Sequence, residues 1–93
     1  MPHKFLVHAR GDSVGVAVEQ IYADEEVHGV ILEDDSSVKV RALDDVALGH
    51  KVALLDIPDG AKVVKYGECV GKATTPIQTG RHVHVHNLKS VRW

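Results

Sequence analysis

The sequence predicts a small all-β domain, and three observations carry that prediction. Apolar residues come in strand-length runs rich in β-branched side chains, turn-forming residues separate those runs at short intervals, and one turn-to-strand pattern recurs along the chain. At 93 residues, 44% of them apolar, the chain has room for one compact unit over residues 1–93 and enough apolar material for its core.

Taken in order, Phe5-Leu6-Val7 opens the first strand, and Arg10-Gly11-Asp12 turns the chain into Val14-Gly15-Val16-Ala17-Val18. Residues 18–27 have the length of a short helix, but the repeat described below reads them as a turn. Val27 to Leu32 and Val38-Lys39-Val40 flank the polar run Glu33-Asp34-Asp35-Ser36-Ser37, which reads as a hairpin loop. Leu43 to Leu48 is the one plausible helical turn, with Asp44 or Asp45 as its cap and Gly49 as its stop. Val52 to Ile57, Val63-Val64, the short segment Glu68-Cys69-Val70 between Gly67 and Gly71, and Val83-Val85 complete the strand candidates.

The recurring pattern is Ile-x-x-Gly/Asp-x-x-Val, found at Ile21 to Val27, Ile57 to Val63 and Ile77 to Val83. Its fourth position suits a backbone with positive φ, which Gly adopts freely and Asp tolerates. Each copy therefore reads as a tight turn feeding a strand, and the copies suggest pseudo-symmetric hairpins.

Eleven basic residues against 13 acidic ones leave a net charge of −2, and no run of Lys or Arg breaks the chain. That distribution gives no support to non-specific binding of nucleic acid or of an anionic membrane. The apolar stretches are far shorter than a membrane span, and no signal-peptide pattern opens the sequence, so a soluble cytoplasmic protein is expected. The single cysteine, Cys69, rules out an internal disulfide framework and reads as a small buried apolar residue.

Seven histidines are the compositional anomaly. His82-Val83-His84-Val85-His86 alternates, so on a continuous strand the three imidazoles share one face and the valines the other. Imidazole is a metal ligand and a general base near neutral pH, so this face reads either as a metal or catalytic site or as the solvated side of an edge strand. Asn87 follows and can donate or accept hydrogen bonds beside them. A carboxylate partner must come from elsewhere, with Asp44, Asp45, Asp56 and Glu68 as candidates. His50 sits between the possible helical turn and a strand, whereas His3, His8 and His28 stand alone. Lys51, Lys65, Lys72 and Arg81 are cations that an anionic substrate could meet, and each also reads as an ordinary solvated charge.

Read together, Asp12-Ser13-Val14-Gly15-Val16-Ala17, Leu48-Gly49-His50-Lys51-Val52-Ala53-Leu54, Asp56-Ile57-Pro58-Asp59-Gly60, Val64-Lys65-Tyr66-Gly67, Ile77 to Gly80 and Val83-His84-Val85-His86-Asn87-Leu88 resemble the N-terminal SAF-type domain of the altronate/galactarate dehydratase family. The resemblance spans nearly the whole chain. It implies a β-clip fold and a metal-dependent lyase, with a divalent cation, Fe2+, as cofactor. In the altronate and galactarate enzymes such a domain is joined to a large catalytic domain, whereas this sequence stops at Trp93. A free-standing version is similar to the small (alpha) subunits of (2R)-sulfolactate sulfo-lyases, which implies a separate large catalytic subunit like the C-terminal part of altronate dehydratase.

Position by position, the resemblance marks His50 in Gly-His-Lys, and His84, His86 and Asn87 in His-x-His-Asn, as catalytic, with His84 and His86 as metal ligands. His82 lies outside the motif. Lys65 matches Lys-Tyr-Gly, where a turn and a substrate contact are both open; Lys51, Lys65 and Arg81 are the expected contacts to a small acidic substrate. The implied chemistry is α,β-elimination, either sulfite leaving sulfolactate to give pyruvate or water leaving a sugar acid to give a 2-keto-3-deoxy acid. Two readings from other classes stand beside it, a non-catalytic module that binds a metal, an anion or a partner through the histidines, and a scaffold for a large subunit.

Overall fold

A computed structural model of the chain describes residues 3–90. Among them are nine strands and no helix, so the all-β class follows the sequence. The strands are β1 (Phe5–Val7), β2 (Val14–Ala17), β3 (Glu26–Ile31), β4 (Ser36–Arg41), β5 (Lys51–Ala53), β6 (Lys62–Lys65), β7 (Glu68–Ala73), β8 (His82–Val83) and β9 (Leu88–Ser90). Six of them form one sheet in the order β4-β3-β1-β2-β5-β8, and β6-β7-β9 form a second. All neighbours are antiparallel except β1 and β3.

The repeated pattern is the organising device. Asp24, Gly60 and Gly80 occupy its fourth position with φ of 69°, 79° and 90°. A fourth copy, Val46 to Val52, carries Gly49 at the same place with φ of 86°. In each copy the amide three residues beyond the turn's first residue closes it: Glu25 N–H donates to Tyr22 C=O, His50 to Ala47, Ala61 to Pro58 and Arg81 to Gln78. Positive φ at the third turn residue only makes these type II turns.

An alanine stands four residues before each copy, and all four alanines (Ala17, Ala42, Ala53 and Ala73) are buried. The turns then clasp one another in pairs. Asp24 N–H donates to Ala42 C=O while Gly49 N–H donates to Ala17 C=O, and Gly60 and Gly80 do the same to Ala73 and Ala53. Isolated bridges between Ile21 and Val46 and between Ile57 and Ile77 seal each pair. A side-chain cap repeats as well, since Asp45 accepts from Ala23 N–H at 2.8 Å and Asp56 from Thr79 N–H at 2.9 Å.

Each clasp carries its own apolar cluster. Ile21, Val46 and Val52 pack with Phe5, Val27 and Val40, and Ile57, Ile77 and Val83 pack with Val14 and Val63. Phe5 is fully buried between neighbouring strands because Gly15 and Gly29 leave room for its ring; a Cβ on Gly29 would lie 2.2 Å from it.

The helical turn expected over residues 43–48 is absent, which corrects that part of the reading. Val46 forms the bridge to Ile21, and the neighbouring carboxylates accept from distant amides, Asp45 from Ala23 and Asp44 from His82. Carboxylates spent on other segments cannot cap a local helix.

Lys65-Tyr66-Gly67 is a hairpin turn. Tyr66 (φ 64°) and Gly67 (φ 72°) link β6 to β7 as the two-residue loop of a type I′ turn. Buried Asp12 holds it against the larger sheet by accepting from the Tyr66 and Gly67 amides at 3.0 and 3.1 Å. The exposed Tyr66 ring stacks on His8 with centroids 4.0 Å apart.

Candidate functional site

The clasp between the Gly60 and Gly80 turns brings β5 beside β8, with Lys51 opposite Val83 and Val52 opposite His82. One step further along the same register sets His50 opposite His84. Their rings stack with centroids 3.9 Å apart, and His50 Nδ1 lies 2.8 Å from His82 Nε2. At that distance one nitrogen carries the proton and the other accepts it, so the contact requires that the pair not be doubly protonated.

The alternation expected through His86 stops at Val83, where β8 ends. Val83 is buried but Val85 is 83% exposed, so the valines do not share an inner face. The cause is Asn87. Its side-chain carbonyl accepts from His84 N–H at 3.0 Å and its amide donates to His82 C=O at 2.8 Å, while its own backbone N–H closes the turn onto His84 C=O. Asn87 is itself buried, so its truncation leaves two backbone groups without partners. It holds the backbone that carries His82 and His84.

The structure thus gathers His50, His82 and His84, whose ligand nitrogens all lie within 4.8 Å of one another. His82, which the motif comparison leaves outside, stands inside the group. His86 is exposed on the far side of His82, ring centroids 5.0 Å apart. Strand periodicity did place His82 on the shared face, and that was the signal available for it.

Asp44 is the carboxylate that serves this region. It accepts from His82 N–H and from Arg81 Nη1, both at 3.0 Å. Arg81 is thereby paired and also bonded to Gln78, so its charge is directed into the fold's own turn. Lys51 lies on the opposite flank, where it lines an open hollow of about 350 Å³ with His84, Val85, Leu88, Lys89 and Ser90. Lys65 is near enough to act on Lys51 electrostatically.

Burial pushes the His82 imidazole below its ordinary value, and positive charge on His86, His50 and His84 pushes it further, against a smaller opposing pull from Asp44. His84 moves the same way, through desolvation first and then His50, Lys51 and His86. Both rings are therefore kept neutral, with lone pairs available to a proton or an ion. A histidine whose pKa is lower folded than unfolded binds more protons when unfolded, so stability is lost as pH falls through the unfolded value of 6.5. Urea midpoints are expected to drop between about pH 7.5 and pH 5.5, and His82→Asn is expected to flatten that slope; an unchanged slope would count against the pairing.

Residues 3–91 match the altronate/galactarate dehydratase SAF domain. The chain belongs to that family. This SAF chain is 37% identical over 90 residues to the (2R)-sulfolactate sulfo-lyase subunit alpha of Chromohalobacter salexigens, covering 96% of each. It is 42% identical over 64 residues to the subunit of the same name from Paracoccus pantotrophus, covering 69% of this chain and 96% of that one. The altronate dehydratase of Escherichia coli is 43% identical over 84 residues, but the match takes up only 16% of its length. The SAF chain therefore corresponds to a whole alpha subunit in the first two relatives and to a small part of the third. No helix among the described residues is long and apolar enough to cross a membrane.

Proposed function

We propose that this SAF chain is the small subunit of a cytoplasmic lyase that eliminates sulfite from (2R)-sulfolactate, in a site that a large catalytic subunit completes. The observation that carries the reading is the end-to-end match to the sulfo-lyase alpha subunit, at 96% of both chains. The reaction needs a base for the proton on the carbon beside the carboxylate. As that proton leaves, its electron pair forms the carbon–carbon double bond, the C–S bond breaks with its pair going to sulfite, and the enol product becomes pyruvate.

His84 suits the role of proton acceptor, because its ring is neutral at pH 7 and lines the hollow beside Lys51. The His50–His82 pair fits a divalent ion. Imidazole donors suit iron and zinc, and His50 Nδ1 and His82 Nε2, 2.8 Å apart, would be its ligands. Ferrous iron there would supply Lewis-acid stabilisation of the negative charge that develops on the substrate. Asn87 and Asp44 hold the backbone that carries His82 and His84.

Among the described residues the hollow beside His84 is open to solvent, so catalysis is expected to require the large subunit. Mixing the chain with the large subunit of a (2R)-sulfolactate sulfo-lyase and ferrous iron is expected to release sulfite and pyruvate in equal amounts, while the chain alone releases neither. Turnover by the chain alone would overturn the two-part site. Formation of a 2-keto-3-deoxy acid from altronate or galactarate, with no sulfite from sulfolactate, would assign the chain instead to a hydro-lyase, the reading that the 43% identity to altronate dehydratase favours.

A further inference from the structure

The four copies of the turn act as controls for one another. Their second residues are Ala23, Leu48, Asp59 and Thr79. Three of these are small or polar, as a solvated turn tip allows, and Leu48 alone is a large aliphatic side chain, 66% exposed. The turn needs only positive φ at the residue that follows, Gly49, so the fold itself makes no use of a leucine there. Val85 is the second anomaly. It takes the second position of the turn that Asn87 closes onto His84, it is 83% exposed, and a β-branched residue suits a strand better than a turn tip.

The register joins the two. β5 and β8 run antiparallel with Lys51 opposite Val83, so Leu48, two residues before His50, and Val85, one after His84, lie at the same end of the pair, next to the stacked His50 and His84 rings. Leu88 extends the apolar surface, since it lines the open hollow together with Val85. The exposed aromatic side chains have partners within the chain: Tyr66 stacks on His8, and Lys4 Nζ stands 5.9 Å from the centroid of the Tyr22 ring. Among the described residues Leu48 and Val85 are the most exposed aliphatic side chains, and apolar surface gathered at the mouth of a site marks contact with another molecule. A small ligand in the hollow reaches Val85 but not Leu48, which does not line it. The relatives indicate a larger occupant. In the altronate dehydratase of Escherichia coli the matching part is 16% of the length, so the domain is there joined to a much longer polypeptide, and in the sulfo-lyases its counterpart is a subunit named alpha.

We propose that Leu48 and Val85, with Leu88 beside them, are the apolar contact through which the large catalytic subunit docks over the histidines, meeting a complementary apolar surface on that subunit. The inference rests on the two-part reading above and names the surface that joins the parts.

The test is a calorimetric titration of the full-length chain into the large subunit of a (2R)-sulfolactate sulfo-lyase, with no substrate present. Leu48→Ser and Val85→Ser are each expected to weaken association about tenfold to a hundredfold, the effect of one aliphatic side chain no longer buried. Neither is expected to change the melting temperature of the isolated chain, because both side chains are exposed. Leu32→Ser, exposed just beyond β3 and far from β8 in the sheet, is expected to bind like the unaltered chain. Methyl NMR of the unaltered chain gives a readout that needs no variant: the large subunit is expected to attenuate the Leu48 and Val85 methyl signals ahead of those of Leu32. Unchanged affinity in either serine variant, attenuation centred elsewhere, or no association at all would overturn the docking surface. So would a dimer of the isolated chain that the same substitutions dissolve, since the occupant would then be a second copy. Turnover separates the two readings. Sulfite release by a complex whose affinity ignores both substitutions overturns the docking surface and leaves the lyase standing, whereas association that weakens as expected in a complex without sulfolactate turnover overturns the lyase and leaves the docking surface.

Discussion

Gly80→Ala is expected to destabilise the fold by roughly 2–5 kcal/mol, more than the same change at the companion turns. Gly80 holds φ at 90°, a conformation that costs an L side chain roughly 1–2 kcal/mol. Its position is also closed to a side chain, because a Cβ would stand 2.0 Å from the carbonyl oxygen of Arg41 and 3.3 Å from the amide nitrogen of Leu43. Those atoms are backbone, and Leu43 N–H donates to the Gly80 carbonyl at 2.9 Å, so the new methyl cannot be accommodated by rotating a side chain. Overpacking of that kind adds roughly 1–3 kcal/mol. A chain of this size has about 5–14 kcal/mol of stability in total, and losing roughly 2–5 of it lowers the melting temperature by roughly 8–40 °C.

The companion turns supply the control. Gly49 and Gly60 hold φ of 86° and 79°, but a Cβ on either meets nothing within 4 Å. Gly49→Ala and Gly60→Ala are therefore expected to cost only the conformational penalty, roughly 1–2 kcal/mol. Urea denaturation of the three variants tests the argument directly: equal losses at all three positions would show that close approach to Arg41 contributes nothing.

The same turns show how far the sequence could be read. Three copies were legible because Ile, Gly or Asp, and Val recur at fixed spacing, and positive φ at Asp24, Gly60 and Gly80 follows from that spacing. The fourth copy was hidden because Val46 replaces Ile and because Asp44 and Asp45 look like helix caps. Only the folded chain shows that those carboxylates accept amides from His82 and Ala23, 38 and 22 residues away. Two of the clustered histidines, His50 and His84, were legible as candidates, while the strand period failed after Val83 because a single side chain, Asn87, takes over the backbone bonds that β-pairing would otherwise make. The pairing of Arg81 was hidden for a similar reason, since its partner Asp44 lies 37 residues earlier in sequence.

Separating the roles of the histidines is expected to produce the largest functional effects. In the assembled complex, His84→Ala is expected to lower kcat by about 10²–10⁴-fold, the usual contribution of a positioned base, while the complex keeps its iron. His82→Ala is expected to lose iron as well as turnover, because it removes one of two donors only 2.8 Å apart. His86→Ala is expected to change turnover by less than about tenfold, since His86 is exposed and outside the group of three. Iron content, subunit association and kcat measured on the same preparations distinguish the cases. Loss of iron in His84→Ala would make His84 a ligand and require the base to come from the large subunit, and full turnover in both His82→Ala and His84→Ala would reduce the cluster to a scaffold. The metal-free chain gives an independent check. Positive charge on His50 helps hold His84 below the ordinary histidine value of 6.5 there, so His50→Gln is expected to raise the pH at which the His84 ring titrates in the metal-free chain, toward 6.5, as followed by imidazole NMR.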